Sequence, residues 1–187
     1  MKIGFIGSGN MGSAIAKAVA LGNKKTELLI SDPDTEKAGR VREAICKEAG
    51  VEAKLVSNET AAKESDFLFL AVKPQVMEKV LDGMREALMT RENDRNFTIV
   101  TMAAGLECST IRRFAGADFP VIRIMPNTPV AIGSGVIGYC GADVSEKKFA
   151  QFEKLMNKAG LVLRVDEDKI DAVCALSGSV LHSYICL

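Results

Sequence analysis

Glycines at positions 7, 9 and 12 have the spacing with which a protein backbone binds phosphate. The first glycine permits a tight turn, the second lets the backbone approach a pyrophosphate, and the third lets a helix pack close to a strand. N–H groups at the positive end of that helix would then bind the anion. Because the turn directly follows the apolar residues 3–6, it predicts binding of NAD(H) or NADP(H). The alternative is a glycine turn that serves packing alone.

An acid twenty residues beyond the third glycine, Asp32, bears on the choice of coenzyme. An acid at this position accepts hydrogen bonds from the adenosine ribose and repels a 2′-phosphate, which favours NAD. Hydroxyls and positive charges nearby would instead suit NADP if Asp32 turned away; they belong to Ser31, Thr35, Lys37 and Arg40. A third interpretation makes Asp32 a turn or helix-cap residue.

Ligands of open α/β sheets bind outside the carboxyl ends of the strands, so three further turns are candidates. In residues 71–74, Lys73 precedes a proline and is expected to lie near the cofactor. The alternative is a solvated lysine at the start of the next helix. Residues 102–105 are small enough for a flat ring to approach, although a tight turn would also explain Gly105. Residues 125–129 form a loop stiffened by two prolines, which predicts a polar ligand wall.

Other kinds of chemistry find little support. The chain has one histidine, His182, no Ser-His-Asp set and no Cys/His spacing typical of a metal site, so no metal is expected. Hydride transfer needs few acid or base groups, because the cofactor carries the chemistry and the protein positions it.

Short apolar runs alternate with helical periodicity, which predicts an α/β fold: a Rossmann-type, doubly wound, mostly parallel sheet. The predicted strands are residues 2–6, 27–31, 52–56, 67–71, 98–102, 121–124, 134–140 and 161–165. Apolar helical stripes are expected in the core; they comprise Met11, Ile15, Ala18 and Val19, and later Val76, Val80, Met84 and Leu88. Ser145 is expected to cap a helix that runs through Asn157 and ends at Gly160.

Composition limits the partners and the compartment. The 187 residues carry 24 basic and 24 acidic side chains, so neither nucleic acid nor an anionic membrane is expected as a partner. Five cysteines without a C-x-x-C pair, and no secretory signal, predict reduced thiols and a cytoplasmic protein. No apolar run approaches the roughly 20 residues that span a bilayer.

Five segments together resemble pyrroline-5-carboxylate reductases: residues 7–12, 65–74, 103–105, 123–129 and 171–179. The resemblance implies reduction of 1-pyrroline-5-carboxylate to L-proline with NAD(P)H, the last step of proline biosynthesis, in a homo-oligomer. It implies cofactor-binding residues Ile6, Gly7, Ser8, Gly9, Asn10, Met11, Gly12, Asp32, Asn58, Ala71, Val72, Lys73, Pro74 and Ala104. On the substrate side it implies Asn127, Thr128, Ser177, Gly178 and Ser179. It assigns no catalytic residue.

The sequence departs from the family after Ser179, where a helical dimerisation domain is expected but missing. The predicted organisation is an NAD(P)-binding domain over residues 1–166, the start of a truncated C-terminal domain over 167–179, and an out-of-frame tail over 180–187. Codons permitted for the tail, read after one extra G, encode the glycine-proline-alanine continuation of the family, which predicts a single-base frameshift.

Two functions therefore remain open. The first is an active pyrroline-5-carboxylate reductase, and the second is an inactive NAD(P)-binding fragment. We expect coenzyme binding under both and turnover only under the first.

Overall fold

The computed structural model describes residues 1–91, 94 and 96–173. Within them one eight-stranded sheet forms the centre of the fold. Its strands are β1 (Lys2–Ile6), β2 (Glu27–Ser31), β3 (Glu52–Leu55), β4 (Phe67–Leu70), β5 (Thr98–Thr101), β6 (Val121–Pro126), β7 (Gly135–Ala142) and β8 (Gly160–Arg164). All eight predicted strands are confirmed; six are largely buried, whereas β3 and β8 at the two edges of the sheet are largely exposed.

The strands lie in the order β3-β2-β1-β4-β5-β6-β7-β8. Every neighbouring pair is parallel except β6 and β7, which are antiparallel. The strands up to β3 are added on one side of β1 and the strands from β4 onward on its other side, so the strand order reverses between β1 and β4. Ile6 at the end of β1 pairs with both Ser31 and Leu70. The predicted fold class is confirmed, and this reversal is the point where such sheets bind ligands.

Helices cover both faces of the sheet. They are α1 (Asn10–Gly22), α2 (Thr35–Ala49), α3 (Asn58–Glu64), α4 (Pro74–Gly83), α5 (Arg85–Met89), α6 (Cys108–Ala115) and α7 (Glu146–Leu155). Phe5 and Phe69 stack with ring centroids 4.7 Å apart in the core under α1, α2 and α7. Leu68 and Leu70 point to the other face, where α3, α4 and α6 pack. This alternation is the period of a strand covered on both sides.

The predicted stripe of α1 is confirmed, since Ile15, Ala18 and Val19 are buried and Met11 packs against them. The later stripe is partly wrong. Met84 separates α4 from α5, and the buried residues of α4 are Met77 and Leu81, whereas Val76 is exposed. Met84 and Leu88 are buried and Val80 packs against the same core, as predicted, so the error lies at Val76, next to the buried Met77.

The cap predicted at Ser145 is confirmed, because its hydroxyl accepts a hydrogen bond from the Lys148 N–H at 3.3 Å. The helix it caps, α7, ends at Leu155. Among the described residues, no helix combines the length and apolar character needed to cross a bilayer. The predicted tail, residues 180–187, and residues 174–179 lie outside the described part of the chain.

Candidate functional site

The turn after β1 requires its first glycine. Gly7 has φ +97°, and a Cβ there would lie 2.7 Å from the carbonyl oxygen of Ala71. The Gly7 N–H donates to the carbonyl of Ser31 at 2.7 Å, so the turn is held between the ends of β2 and β4. A side chain at this position would meet both backbone strain and collision.

Gly12 lets α1 begin against that turn. A Cβ at Gly12 would lie 2.5 Å from the Gly7 carbonyl oxygen and 2.8 Å from the Ala71 Cβ. The helix and the turn therefore approach more closely than any larger residue permits. This is the role expected of the third glycine.

Gly9 differs from the other two glycines, because the protein itself does not need it. Its backbone angles, φ −63° and ψ −179°, suit any residue. A Cβ at Gly9 would have one heavy-atom neighbour within 4 Å, the Lys37 Nζ at 4.0 Å. The space beside Gly9 is therefore open to a ligand.

The N-terminus of α1 provides donors for an anion. Gly9 is the N-cap, no side chain caps the helix, and its first turn contains no acid. Among the described residues, the N–H groups of Asn10, Met11 and Gly12 have no hydrogen-bond acceptor. Unpaired N–H groups at the positive end of a 13-residue helix favour a phosphate.

Asp32 is held by the turn. Its Oδ2 accepts from the Ser8 N–H at 2.5 Å and from the Ser8 Oγ at 2.8 Å, and its Oδ1 accepts from the Asp34 N–H at 2.9 Å. Partial burial raises the pKa of Asp32, but these hydrogen bonds and the nearby Lys37 charge lower it by more, so its pKa lies below the ordinary value. Asp32 therefore has a structural role in the turn, which is one of the alternatives that the sequence left open, and its role in coenzyme binding stays a prediction.

The ends of β2 and β3 meet beside this turn. The buried Ser31 hydroxyl donates to the Asn58 Oδ1 at 2.7 Å. Asn58 is the first residue of α3, which Ser57 caps by accepting from the Thr60 N–H at 3.2 Å. The structure thus brings Asn58 to the edge of the sheet where Asp32 and Lys37 lie.

The segment after β4 borders the glycine turn. The Ala71 N–H donates to the Ile6 carbonyl at 2.8 Å, and Val72 packs against the core. Lys73 is exposed at the N-cap of α4, with Pro74 as the first helical residue. The predicted residues 6–12 and 71–74 therefore form one continuous wall.

The turn after β5 continues along the same edge. Ala104 is exposed, and the Ala103 N–H donates to the Thr101 Oγ1 at 3.3 Å. Gly105 has φ +73°, and a Cβ added there would have no heavy-atom neighbour within 4 Å. The backbone angle of a tight turn therefore explains this glycine, and the approach of a ring to the open space beside it stays a prediction.

The loop after β6 is fixed from within. The Asn127 Oδ1 accepts from the Val136 N–H at 2.8 Å, which ties the loop to β7. Thr128 is exposed at the start of a short 3₁₀ helix, Thr128–Ile132. The other predicted substrate-side residues, Ser177, Gly178 and Ser179, lie outside the described residues.

Sequence reasoning gave no separate role to Arg123, which is 2% exposed in β6. Its Nη2 lies 2.7 Å from an Asp171 carboxylate oxygen, and its Nη1 lies 3.8 Å from Glu167. Its Nε has no partner among the described residues. A cleft of about 390 Å³ opens beside it, lined by Gly105, Glu107, Arg123, Glu167, Asp168 and Asp171. The sequence signal is an arginine inside an otherwise apolar strand.

Comparison with known proteins extends these observations. Residues 2–104 match the family described as NADP oxidoreductase coenzyme F420-dependent. The chain is 35% identical to pyrroline-5-carboxylate reductase of Pseudomonas aeruginosa over 181 residues, which cover 95% of this chain and 63% of that relative.

Two solved structures are also similar. Pyrroline carboxylate reductase of Plasmodium falciparum with NADP bound has a TM-score of 0.79 and 25% identity, covering 99% of this chain and 65% of that one. Pyrroline-5-carboxylate reductase of Coxiella burnetii has a TM-score of 0.82 and 26% identity, covering 98% and 66%. The chain therefore spans about two thirds of the length of these proteins or slightly less.

Proposed function

Because the chain belongs to the NADP oxidoreductase coenzyme F420-dependent family and is a homologue of pyrroline-5-carboxylate reductases over nearly its whole length, we propose that it is the NAD(P)H-binding part of a pyrroline-5-carboxylate reductase. The reaction is reduction of 1-pyrroline-5-carboxylate, a small cyclic imine, to L-proline. The resemblance first seen in five sequence segments is confirmed by these relatives.

One observation carries the proposal: α1 begins without a cap, beside a glycine that the fold itself does not need. A residue with a side chain at position 9 would be tolerated by the protein but would occupy part of the open space beside the N-terminus of α1, where the backbone would approach a pyrophosphate. Charge-assisted hydrogen bonds from such groups to an anion are about twice as strong as neutral ones. This is the arrangement that a pyrophosphate needs.

The remaining predicted residues extend from this point in both directions. Asn58 and Lys37 lie on the side of β2, where the adenosine half of a dinucleotide would bind. Residues 71–74 and Ala104 lie on the side of β4 and β5, where the nicotinamide half would bind. Lys37 has positive charge next to the open space at Gly9, which suits a phosphate and supports NADP(H) as well as NAD(H).

When bound beside these residues, the coenzyme would supply the hydride that reduces the imine. A protonated imine is already electrophilic, so the residues of this chain need to bind, orient and exclude water rather than to remove a proton. Asn127 and Thr128 are proposed to lie on the substrate side, because their loop follows β6 at the same edge of the sheet. Ser177, Gly178 and Ser179 remain proposed on the resemblance alone.

The family relation supports a small molecule as substrate. The equal numbers of basic and acidic residues support the expectation that nucleic acid and membranes are not partners, and we expect a cytoplasmic protein. Self-association, as in the family, also stays a proposal.

Two assays on the 187-residue chain test the proposal. In the first, NADPH fluorescence is titrated with protein, and we expect saturable binding. In the second, NADPH oxidation is followed with 1-pyrroline-5-carboxylate. Oxidation with proline formation supports the reductase, binding without oxidation supports the inactive-fragment alternative, and absence of binding contradicts both.

A further inference from the structure

A cluster of three potential metal ligands lies away from the glycine turn. It comprises Cys108, the first residue of α6, Cys140 in β7, and Glu167 in the short 3₁₀ helix after β8. Their two sulfurs and a carboxylate oxygen all lie within 4.8 Å of one another. Both cysteines are free thiols, with 1% and 5% of their surface exposed. Three separate elements therefore converge on one point.

The donor set and its spacing suit a thiophilic divalent cation. Zinc binds thiolate sulfur at about 2.3 Å, so a tetrahedral site places two sulfurs about 3.8 Å apart. Because the three atoms lie within 4.8 Å of one another, the two sulfurs need to move together by about 1 Å at most to reach this geometry. Glu167 is already oriented toward the thiols, because its Oε1 accepts from the Cys108 N–H at 2.8 Å.

The surrounding charges favour a cation. Carboxylates of Glu107, Glu167, Asp168 and Asp171 line the adjacent cleft, whose only lining cation among the described residues is Arg123. A divalent ion would offset the charge of the two buried thiolates, and Arg123 already offsets part of the charge of Glu167 and Asp171.

We propose that Cys108, Cys140 and Glu167 form a binding site for a thiophilic divalent cation such as Zn²⁺, with a water from the cleft as the fourth ligand. Binding forms two metal–thiolate bonds and one metal–carboxylate bond. The two thiol protons pass to solvent, and no atom is oxidised or reduced. The proposal is independent of coenzyme binding, because it uses no residue of the glycine turn.

Cadmium is the probe, because its bonds to thiolates absorb in the ultraviolet. The 187-residue chain carrying Cys46→Ser, Cys174→Ser and Cys186→Ser is reduced, freed of metal and titrated with Cd²⁺. We expect one ion per chain, a thiolate-to-cadmium absorption band, two protons released per ion, and loss of the band when Zn²⁺ displaces Cd²⁺. Failure of this reduced chain to bind an ion overturns the proposal.

Variants in the same background identify the ligands. Cys108→Ser and Cys140→Ser should each abolish the band, whereas Glu167→Gln should weaken binding but keep a band from the two remaining thiolates. Circular dichroism checks that each variant folds. If a serine variant does not fold, the proposal is still tested by the affinity of the Glu167→Gln variant and by the number of protons that the parent chain releases per ion. A band that persists in both folded cysteine variants overturns the proposal.

Discussion

Replacement of Gly9 by alanine should separate coenzyme binding from stability. The methyl group enters open space, with the Lys37 Nζ 4.0 Å away, and the backbone angles suit alanine. Alanine is a poorer N-cap than glycine but also restricts the unfolded chain, two opposing effects of at most about 1 kcal/mol each. We therefore expect the free energy of unfolding of the coenzyme-free chain to change by less than about 1 kcal/mol.

Binding of NADPH should weaken much more. The methyl group narrows the open space beside the N-terminus of α1, where the pyrophosphate is proposed to approach, so we expect the loss of at least one charge-assisted hydrogen bond. Such a bond contributes about 1.5–3 kcal/mol. Since about 1.4 kcal/mol corresponds to tenfold in affinity, we expect a Kd about 10- to 100-fold higher.

Two other glycines give matched controls. Gly12→Ala places a methyl 2.5 Å from the Gly7 carbonyl oxygen, so it should lower the free energy of unfolding by about 1–3 kcal/mol and also weaken binding. Gly39→Ala, in α2 with nothing near its new methyl, should stabilise the chain by up to about 1 kcal/mol and leave binding unchanged. Urea unfolding and NADPH fluorescence measure both quantities. Wild-type affinity in Gly9→Ala would refute the proposed phosphate site.

Four further substitutions test the surroundings of the glycine turn and the buried Arg123. Lys37→Ala should raise the Kd for NADPH about tenfold, about 1.4 kcal/mol, with a weaker dependence on salt; an unchanged titration would exclude a phosphate contact. The folded-state pKa of Asp32 lies below its unfolded value of about 3.9. Ionised Asp32 therefore contributes fully to the free energy of unfolding above the unfolded pKa, and this contribution is lost as the pH falls through the folded-state pKa. Asp32→Asn should remove that acid-dependent part of the unfolding free energy, and an identical pH profile would contradict its bonding to Ser8. Asp171→Ala should lower the free energy of unfolding by about 1–3 kcal/mol, because it leaves the buried Arg123 with a weaker partner. Adding Arg123→Met to this variant should restore part of the loss, as measured by urea unfolding.

The sequence predicted the strands and the glycine turn well, because these depend on local patterns. Apolar runs between turn residues identify buried strands, and the glycine spacing at residues 7–12 reports a local backbone geometry. The family resemblance singled out Asn58 as a coenzyme-binding residue, but its hydrogen bond with Ser31 was not predicted, since no local pattern indicates it.

Features that depend on register and rotamer could not be predicted. The bonds from Ser8 to Asp32 join residues 24 positions apart, and nothing in their spacing says which way the carboxylate turns. Cys140 lies opposite Arg123 only because β6 and β7 pair antiparallel. The sequence has no Cys/His spacing typical of a metal site, so it gave no indication that Cys108, Cys140 and Glu167 form a cluster.

Backbone amide chemical shifts of the isotopically labelled chain, followed during titration with NADPH, test the central claim most directly. We predict saturable shifts of the amides of Gly9, Asn10, Met11 and Gly12, whose N–H groups would bind the pyrophosphate. Saturable binding that leaves these four amides unmoved, or no binding at all, would contradict the account.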